Sequence, residues 1–171
     1  MPKANQAGYT LIELLVVTGL LAVLIVGAAS LFVNTLTHKL RLTMNQEIKQ
    51  EGEYLIDQIS FFVRNAKNIS TPCDGTDQSS LSLQNLDGGS TVFAIVEESG
   101  IARVASTSAT YVAHLSSQEY QVDELTFNCQ TNPNNRPYVT ISLSLTRSAT
   151  AVDPVTRDFQ HTVLMRNPSA Q

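Results

Sequence analysis

Residues 14–33 read LLVVTGLLAVLIVGAASLFV and contain no charged residue, histidine, asparagine, glutamine or proline. A helix of this length spans about 30 Å, which matches the hydrocarbon thickness of a bilayer. A buried core helix is the alternative, but the core helix of a small domain has a polar face and this segment has none. The segment is therefore predicted to be a membrane-spanning helix.

A carboxylate, Glu13, comes directly before this apolar segment. This carboxylate could face the lipid headgroups, mark the helix start, or lie deeper in the apolar layer. Placing it in the apolar layer costs about 2.5–3.5 kcal/mol of free energy unless a cation pairs with it. A secretory signal peptide is a rival interpretation, because the small residues 27–29 would permit cleavage after Ala29. The carboxylate at the start of the segment, and the apolar residues that continue through Val33, argue against that interpretation.

Beyond Val33 the apolar residues recur every three, four or seven positions, which is the pattern of an amphipathic helix. We expect Gly52 to mark a bend in this helix and Thr71-Pro72 to end it near residue 70. The apolar positions are Leu36, Leu40, Met44, Ile48, Leu55, Ile59, Phe62, Ala66 and Ile69.

From residue 80 onward the hydrophobic period changes to two, which predicts β-strands with one buried and one wet face. Val139, Ile141, Leu143 and Leu145 share one such face. The pattern predicts an α+β fold in which the long N-terminal helix packs against a C-terminal antiparallel sheet. Strands are expected at 81–83, 91–98, 101–104, 124–129, 138–146 and 159–166, turns at 87–89 and 99–100, and loops at 131–137 and 149–158.

Residues 8–13, GYTLIE, together with the apolar segment that follows, resemble the class III signal of type IV prepilins and type II secretion pseudopilins. The resemblance implies that a prepilin peptidase cuts between Gly8 and Tyr9 and N-methylates the new amino terminus on Tyr9. It also implies that Glu13 pairs with the N-terminal ammonium of a neighbouring subunit. The implied organisation is a leader (1–8), a transmembrane and assembly helix (9–35), its amphipathic continuation (36–70) and an extracytoplasmic β-rich head (71–171).

Two departures from the family pattern are visible. The family more often has Phe where Tyr9 stands, and many major pilins have a proline about where Ser30 stands. In its missing proline and its order of elements, the chain resembles the larger minor pilins and the J- and W-type pseudopilins.

The partners that the resemblance implies are other pilin or pseudopilin subunits, the prepilin peptidase, the inner-membrane assembly platform and the lipid bilayer. The implied location is a single-pass inner membrane protein with an extracytoplasmic head, which enters a periplasmic or cell-surface filament.

The head contains few residues with distinctive chemistry. Outside the cytoplasm, Cys73 and Cys129 are expected to form a disulfide, with two unpaired thiols as the alternative. The segment 74–77, DGTD, is expected to be a polar turn, because its spacing falls short of a calcium-binding loop. The histidines His38, His114 and His161 have no metal-ligand spacing.

The sequence predicts no catalytic, cofactor or metal site. It lacks a nucleophile motif and a phosphate-binding loop, and the adjacent carboxylates at 97–98 and 123–124 are expected to point to opposite faces of their strands. The predicted function is a structural, non-enzymatic subunit of a type IV pilus, a secretion pseudopilus or a competence filament.

Two alternatives remain for the head. It could be a binding or enzyme domain on a plain membrane anchor, or the head of a DNA-uptake pilin. The net charge of −4 argues against nucleic-acid binding, which usually needs a basic surface. The strong bases of residues 71–171 are Arg103, Arg136, Arg147, Arg157 and Arg166.

Overall fold

The computed structural model describes residues 10–109, 111–134, 136–149 and 152–166. Two compact units divide the chain, one that ends at Leu40 and one that begins at Arg41. The described residues form one long helix followed by nine strands. The elements are α1 (Leu11–Asn65), β1 (Asn68–Ile69), β2 (Asp77–Gln78), β3 (Ser80–Gln84), β4 (Ser90–Glu98), β5 (Ile101–Ser108), β6 (Tyr111–His114), β7 (Gln121–Thr131), β8 (Pro137–Ala149) and β9 (Val152–Leu164).

The helix ends earlier than the sequence pattern predicts. Its last residue is Asn65, because the backbone that follows bonds to β3 instead of continuing the helical ladder. The amide of Lys67 donates to the Gln84 carbonyl at 2.7 Å, and the amide of Ser70 donates to the Ser82 carbonyl at 2.8 Å. The prediction of a helix to residue 70 is therefore wrong by about one turn.

The strands form two antiparallel sheets, in agreement with the predicted α+β class. One sheet has the order β1-β3-β4-β5-β6 and the other has the order β2-β7-β8-β9. The tight turn between β4 and β5 was correctly predicted at Ser99-Gly100. Both residues have positive φ, 54° and 81°, as a two-residue type I′ hairpin turn requires.

The predicted strands differ from the structure in several places. Strands β1, β2 and β6 were not predicted, since two to four residues are too few to show a period, and β5 continues to Ser108, four residues beyond its predicted end. Strand β9 begins at Val152, so the loop expected at 149–158 is wrong. Pro154 and Asp153 weaken the strand signal there. They are tolerated because β9 is an edge strand and the ladder shifts register between Arg147 and Ala149.

The core of the second unit lies between the apolar stripe of α1 and the inner faces of both sheets. The helical side chains of Ile48, Leu55, Ile59 and Val63 have no exposed surface. The predicted face of β8 is confirmed, because Val139, Ile141, Leu143 and Leu145 are all buried. Burying one such aliphatic side chain stabilises the fold by about 1.5–3 kcal/mol.

Gly52 permits close packing between α1 and β9. It is a buried position within α1, and a Cβ atom built on it would overlap the ring of Phe159 from β9. The helix continues through this position to Asn65. The glycine therefore lets the strand approach the helix closely, a role that the sequence pattern did not predict.

We expect Gly52→Ala to lower the free energy of unfolding of the second unit by about 1–3 kcal/mol, because the new methyl group overpacks a filled core. This loss should occur although alanine favours a helix by about 1 kcal/mol over glycine. Urea unfolding measures the effect. Gly27→Ala is the matched control, since open space surrounds that position. Adding Phe159→Ala should weaken the penalty of Gly52→Ala, and purely additive effects would contradict the contact.

A disulfide joins Cys73, which follows the helix, to Cys129 of β7. Neighbouring hydrogen bonds hold the same loop, since the Gly75 amide donates to the Cys129 carbonyl at 2.9 Å. The Asn128 side chain donates to the Gly75 carbonyl at 2.7 Å. The bridge and these bonds fasten the segment between the two sheets to the edge of β7.

A head made in an oxidising compartment should therefore show no titratable thiol when unfolded without reductant. The bridge closes a separation of 56 residues, for which the chain-entropy model gives about 4 kcal/mol of stabilisation. Cys73→Ser with Cys129→Ser should lower the stability by that order, as measured by urea unfolding. Detection of two thiols in the unreduced protein would contradict the bridge.

Candidate functional site

The start of α1 is a helix cap that contains the predicted site residue Glu13. The Thr10 hydroxyl oxygen accepts a hydrogen bond from the Glu13 amide at 3.3 Å, and the Leu14 amide donates to the Thr10 carbonyl at 3.2 Å. Thr10 and Glu13 thus have the spacing of a capping box. The negative side chain also lies where the positive end of the helix dipole favours it. Sequence reasoning missed Thr10, although the pattern T-x-x-E was visible.

The helical residues that follow expose an apolar surface. The helix is long and apolar enough to cross a membrane, and none of the residues in its most apolar window is buried. Leu11, Leu15, Val23 and Leu24 each expose more than two thirds of their surface. Leu36 and Leu40, which were predicted to join the buried stripe, are also exposed. An apolar surface of this kind calls for a lipid or protein environment.

The few polar side chains of this segment bond within the helix itself. The Thr18 hydroxyl donates to the Leu14 carbonyl at 2.9 Å, and the Ser30 hydroxyl donates to the Gly27 carbonyl at 2.9 Å. Thr35 donates in the same way to the Leu31 carbonyl at 2.8 Å. Because these donors are satisfied locally, the segment can enter hydrocarbon without exposing an unpaired hydroxyl.

The predicted cleavage residues Gly8 and Tyr9 lie outside the described residues. Of the predicted N-terminal site, the structure therefore places only Glu13, which is solvent-exposed in the single chain. Its immediate polar neighbour in that chain is the Thr10 cap described above.

The polar turn at 74–77 is held by its own side chains. The Asp74 carboxylate accepts bonds from the Thr76 hydroxyl at 2.6 Å and the Thr76 amide at 3.0 Å. These donors hold the pKa of Asp74 below its ordinary value. Asp77 accepts a bond from the Asn128 side chain at 2.8 Å. Among the described residues, no group of three or more potential ligands is arranged to hold a metal ion.

The charged groups near the helix form structural pairs. Arg147 of β8 binds Glu47 of α1 and, at 3.0 Å, Glu119, and its guanidinium lies 5.4 Å from the centre of the Tyr120 ring. Burial raises the pKa of Tyr120, and the negative charges of Glu51 and Glu119 raise it further. Arg41 pairs with Asp153 of β9. These pairs link α1 to the β8-β9 hairpin.

A bulge in β7 shows that the prediction for the adjacent carboxylates at 123–124 is wrong. Asp123 and Glu124 were expected on opposite faces, but the register shifts between Val122 and Glu124. Both carboxylates are exposed between the buried residues Val122 and Leu125. The Asp123 carboxylate accepts a bond from the Thr146 hydroxyl at 2.6 Å, on the outer face of the sheet.

Comparison with known proteins identifies the N-terminal segment. Residues 3–29 match the family model described as the prokaryotic N-terminal methylation motif. No curated protein and no solved structure matches the chain. The match covers the predicted cleavage position, the helix cap with Glu13 and most of the exposed apolar segment. The N-terminal segment of this chain is therefore a prepilin-type methylation signal, of the kind that type IV prepilin-like proteins carry.

Proposed function

We propose that the chain is a minor structural subunit of a type IV pilus, a type II secretion pseudopilus or a competence filament. The observation that carries the proposal is the joint occurrence of the methylation motif at residues 3–29 and an exposed apolar helical surface behind it. A plain membrane anchor needs the apolar surface but has no need of a processing signal. A filament subunit needs both.

Processing would proceed at the boundary between Gly8 and Tyr9. The prepilin peptidase would remove the leader 1–8 on the cytoplasmic side and methylate the amino group of Tyr9. The head would then lie outside the cytoplasm, where the Cys73–Cys129 disulfide can persist. The processed chain is the substrate of this chemistry and not its catalyst.

Assembly would bury Glu13 among the helices of neighbouring subunits. As water leaves the helix bundle, an unpaired carboxylate becomes costly. The Tyr9 ammonium of an axially staggered neighbour is the cation that can meet it. Such a pair adds little net stability, but removing one partner leaves a buried charge and costs about 3–5 kcal/mol. The pair would therefore select one stagger between subunits.

Two features favour a minor role over a major one. The apolar segment lacks a proline near Ser30, and the head from residue 71 to 171 is large relative to the anchor. The assembly partners would be other pilin or pseudopilin subunits and the inner-membrane assembly platform. The acidic head offers little to a nucleic-acid ligand, so DNA uptake is less well supported.

We expect the mature chain to begin at an N-methylated Tyr9, as read by mass spectrometry of the N-terminal peptide. Gly8→Val should abolish cleavage, because the extended backbone must approach the peptidase closely at that residue. Gly27→Val is the matched control and should be processed normally. A mature N-terminus at Ser30, or an intact Met1 in cells with an active prepilin peptidase, would contradict the proposed family role.

Glu13→Ala should leave insertion and cleavage intact but reduce co-purification with filament partners. Glu13→Gln separates the two roles of this residue, because glutamine preserves the capping box but carries no charge. If charge pairing matters, Glu13→Gln should fail like Glu13→Ala. Glu53→Ala, on an exposed part of the helix, is the control. Wild-type co-purification of Glu13→Gln after normal processing would reject the pairing.

A further inference from the structure

Two aromatic residues lie on the side of α1 that faces away from the core of the second unit. Tyr54 and Phe61 expose 50 % and 61 % of their surface, although the helix around them is packed against both sheets. They are seven positions apart, which is about two helical turns, so both lie on one face of the helix. The buried residues of α1 lie on the opposite face: Met44, Ile48, Gly52, Leu55, Ile56, Ile59, Ser60 and Val63.

The turn between β3 and β4 enlarges this apolar surface. Leu86 in that turn exposes 74 % of its surface, and with Phe61 and Phe62 it lines a groove of about 300 Å³ beside the helix. The Phe62 ring connects the groove to the core, since its centre lies 5.9 Å from that of Phe61 and 5.4 Å from that of the buried Phe93. We call Tyr54, Phe61 and Leu86 together the outer helix patch.

The polar groups that line the groove are bonded within the chain. The Asn65 amide donates to the Phe61 carbonyl at 2.8 Å, and the Asn85 amide donates to the Thr91 hydroxyl at 3.0 Å. The Asp87 carboxylate accepts a bond from a backbone amide of its own turn at 2.9 Å. What the groove offers to a partner is therefore chiefly apolar surface, and exposed apolar patches of this kind mark sites of protein interaction.

The proposed filament contains a surface that matches the outer helix patch in chemistry. When subunits assemble, their apolar helical segments leave the lipid and need protein around them instead. In this chain that segment, residues 14–33, carries no charge. Pairing of Glu13 with the Tyr9 ammonium staggers neighbouring subunits along the axis. Successive staggers in one direction bring the apolar segment of a more distant subunit beside the later part of α1.

We propose that the outer helix patch binds the apolar helical segment of another pilin-type subunit, one that stands further toward the head end of the filament. This inference rests on the proposed filament role. Side chains of that segment would fill the groove between Phe61 and Leu86, while Tyr54 would keep its hydroxyl at the wet rim. The exposed carboxylate of Asp57 would stay hydrated beside the contact. Aromatic residues at the centre and polar residues at the rim are the usual anatomy of a protein interface.

The test places a photo-crosslinking side chain in the full-length protein, in cells with an active prepilin peptidase and assembly system. Phe61→p-benzoylphenylalanine should crosslink to an apolar helical peptide of another prepilin-type subunit, as identified by mass spectrometry. Gln160→p-benzoylphenylalanine is the matched control and should not form this crosslink, since Gln160 is also exposed but lies on β9. Gly8→Val should remove the crosslink, because the unprocessed chain would not assemble.

Phe61→Ala with Leu86→Ala should lower co-purification with filament subunits by about tenfold, since two apolar contact side chains are lost. The matched control is Val112→Ala with Leu164→Ala, which shortens two exposed apolar side chains on strands. All four positions are exposed, so both variants should remain folded, and thermal melting checks this. Both should be cleaved normally after Gly8.

Two results would overturn the inference. One is that the probe at Phe61 crosslinks only to lipid, only to the head of another protein, or to nothing, in a chain that is processed and co-purifies with pilin subunits. The other is that the patch variant co-purifies as well as its control. In either case, normal cleavage after Gly8 and a loss of co-purification in Glu13→Ala would leave the filament role standing. If the chain is not cleaved after Gly8, the filament role and this inference fail together.

Discussion

The burial of one stripe of α1 against two sheets is the constraint on which the rest of the head depends. Each sheet has a single apolar face, and the helix is the element that both faces share. Phe62 of the helix packs on Phe93 of the first sheet with ring centres 5.4 Å apart. Phe159 of the second sheet packs on the helix at Gly52. Without the helix, both sheets would expose their apolar faces to water.

The sequence predicted these elements where one hydrophobic period persisted over many residues. The long helix, the buried face of β8 and the hairpin turn at Ser99-Gly100 all carry strong local signals. The predictions failed where tertiary pairing outweighed the local pattern. The backbone after Asn65 joined β3, and the polar start of β9 paired with β8, because each found backbone hydrogen-bond partners on a neighbouring strand.

The residues with possible functional roles also differ in how well the sequence predicted their positions. The methylation motif is contiguous, so its residues could be found from the sequence by their order and spacing. The outer face of the second sheet combines side chains from three strands, and a bulge decides which way Asp123 and Glu124 point. A period of two assigns adjacent residues to opposite faces, so the sequence alone placed these carboxylates incorrectly. The packing role of Gly52 was not predicted because the residue that it contacts, Phe159, lies more than a hundred positions away in the sequence.

The position of β9 in the chain governs when the head can fold. Arg41 pairs with a residue 112 positions later, and Glu47 with one 100 positions later. The strands that cover this part of the helix are thus synthesised about a hundred residues after the helix itself. Until they arrive, the apolar stripe of the helix has no complete cover, and contacts of such long separation form slowly. The second unit therefore passes through an incomplete state in which the apolar stripe of the helix is open to water, and this state is prone to aggregate until β9 pairs with β8.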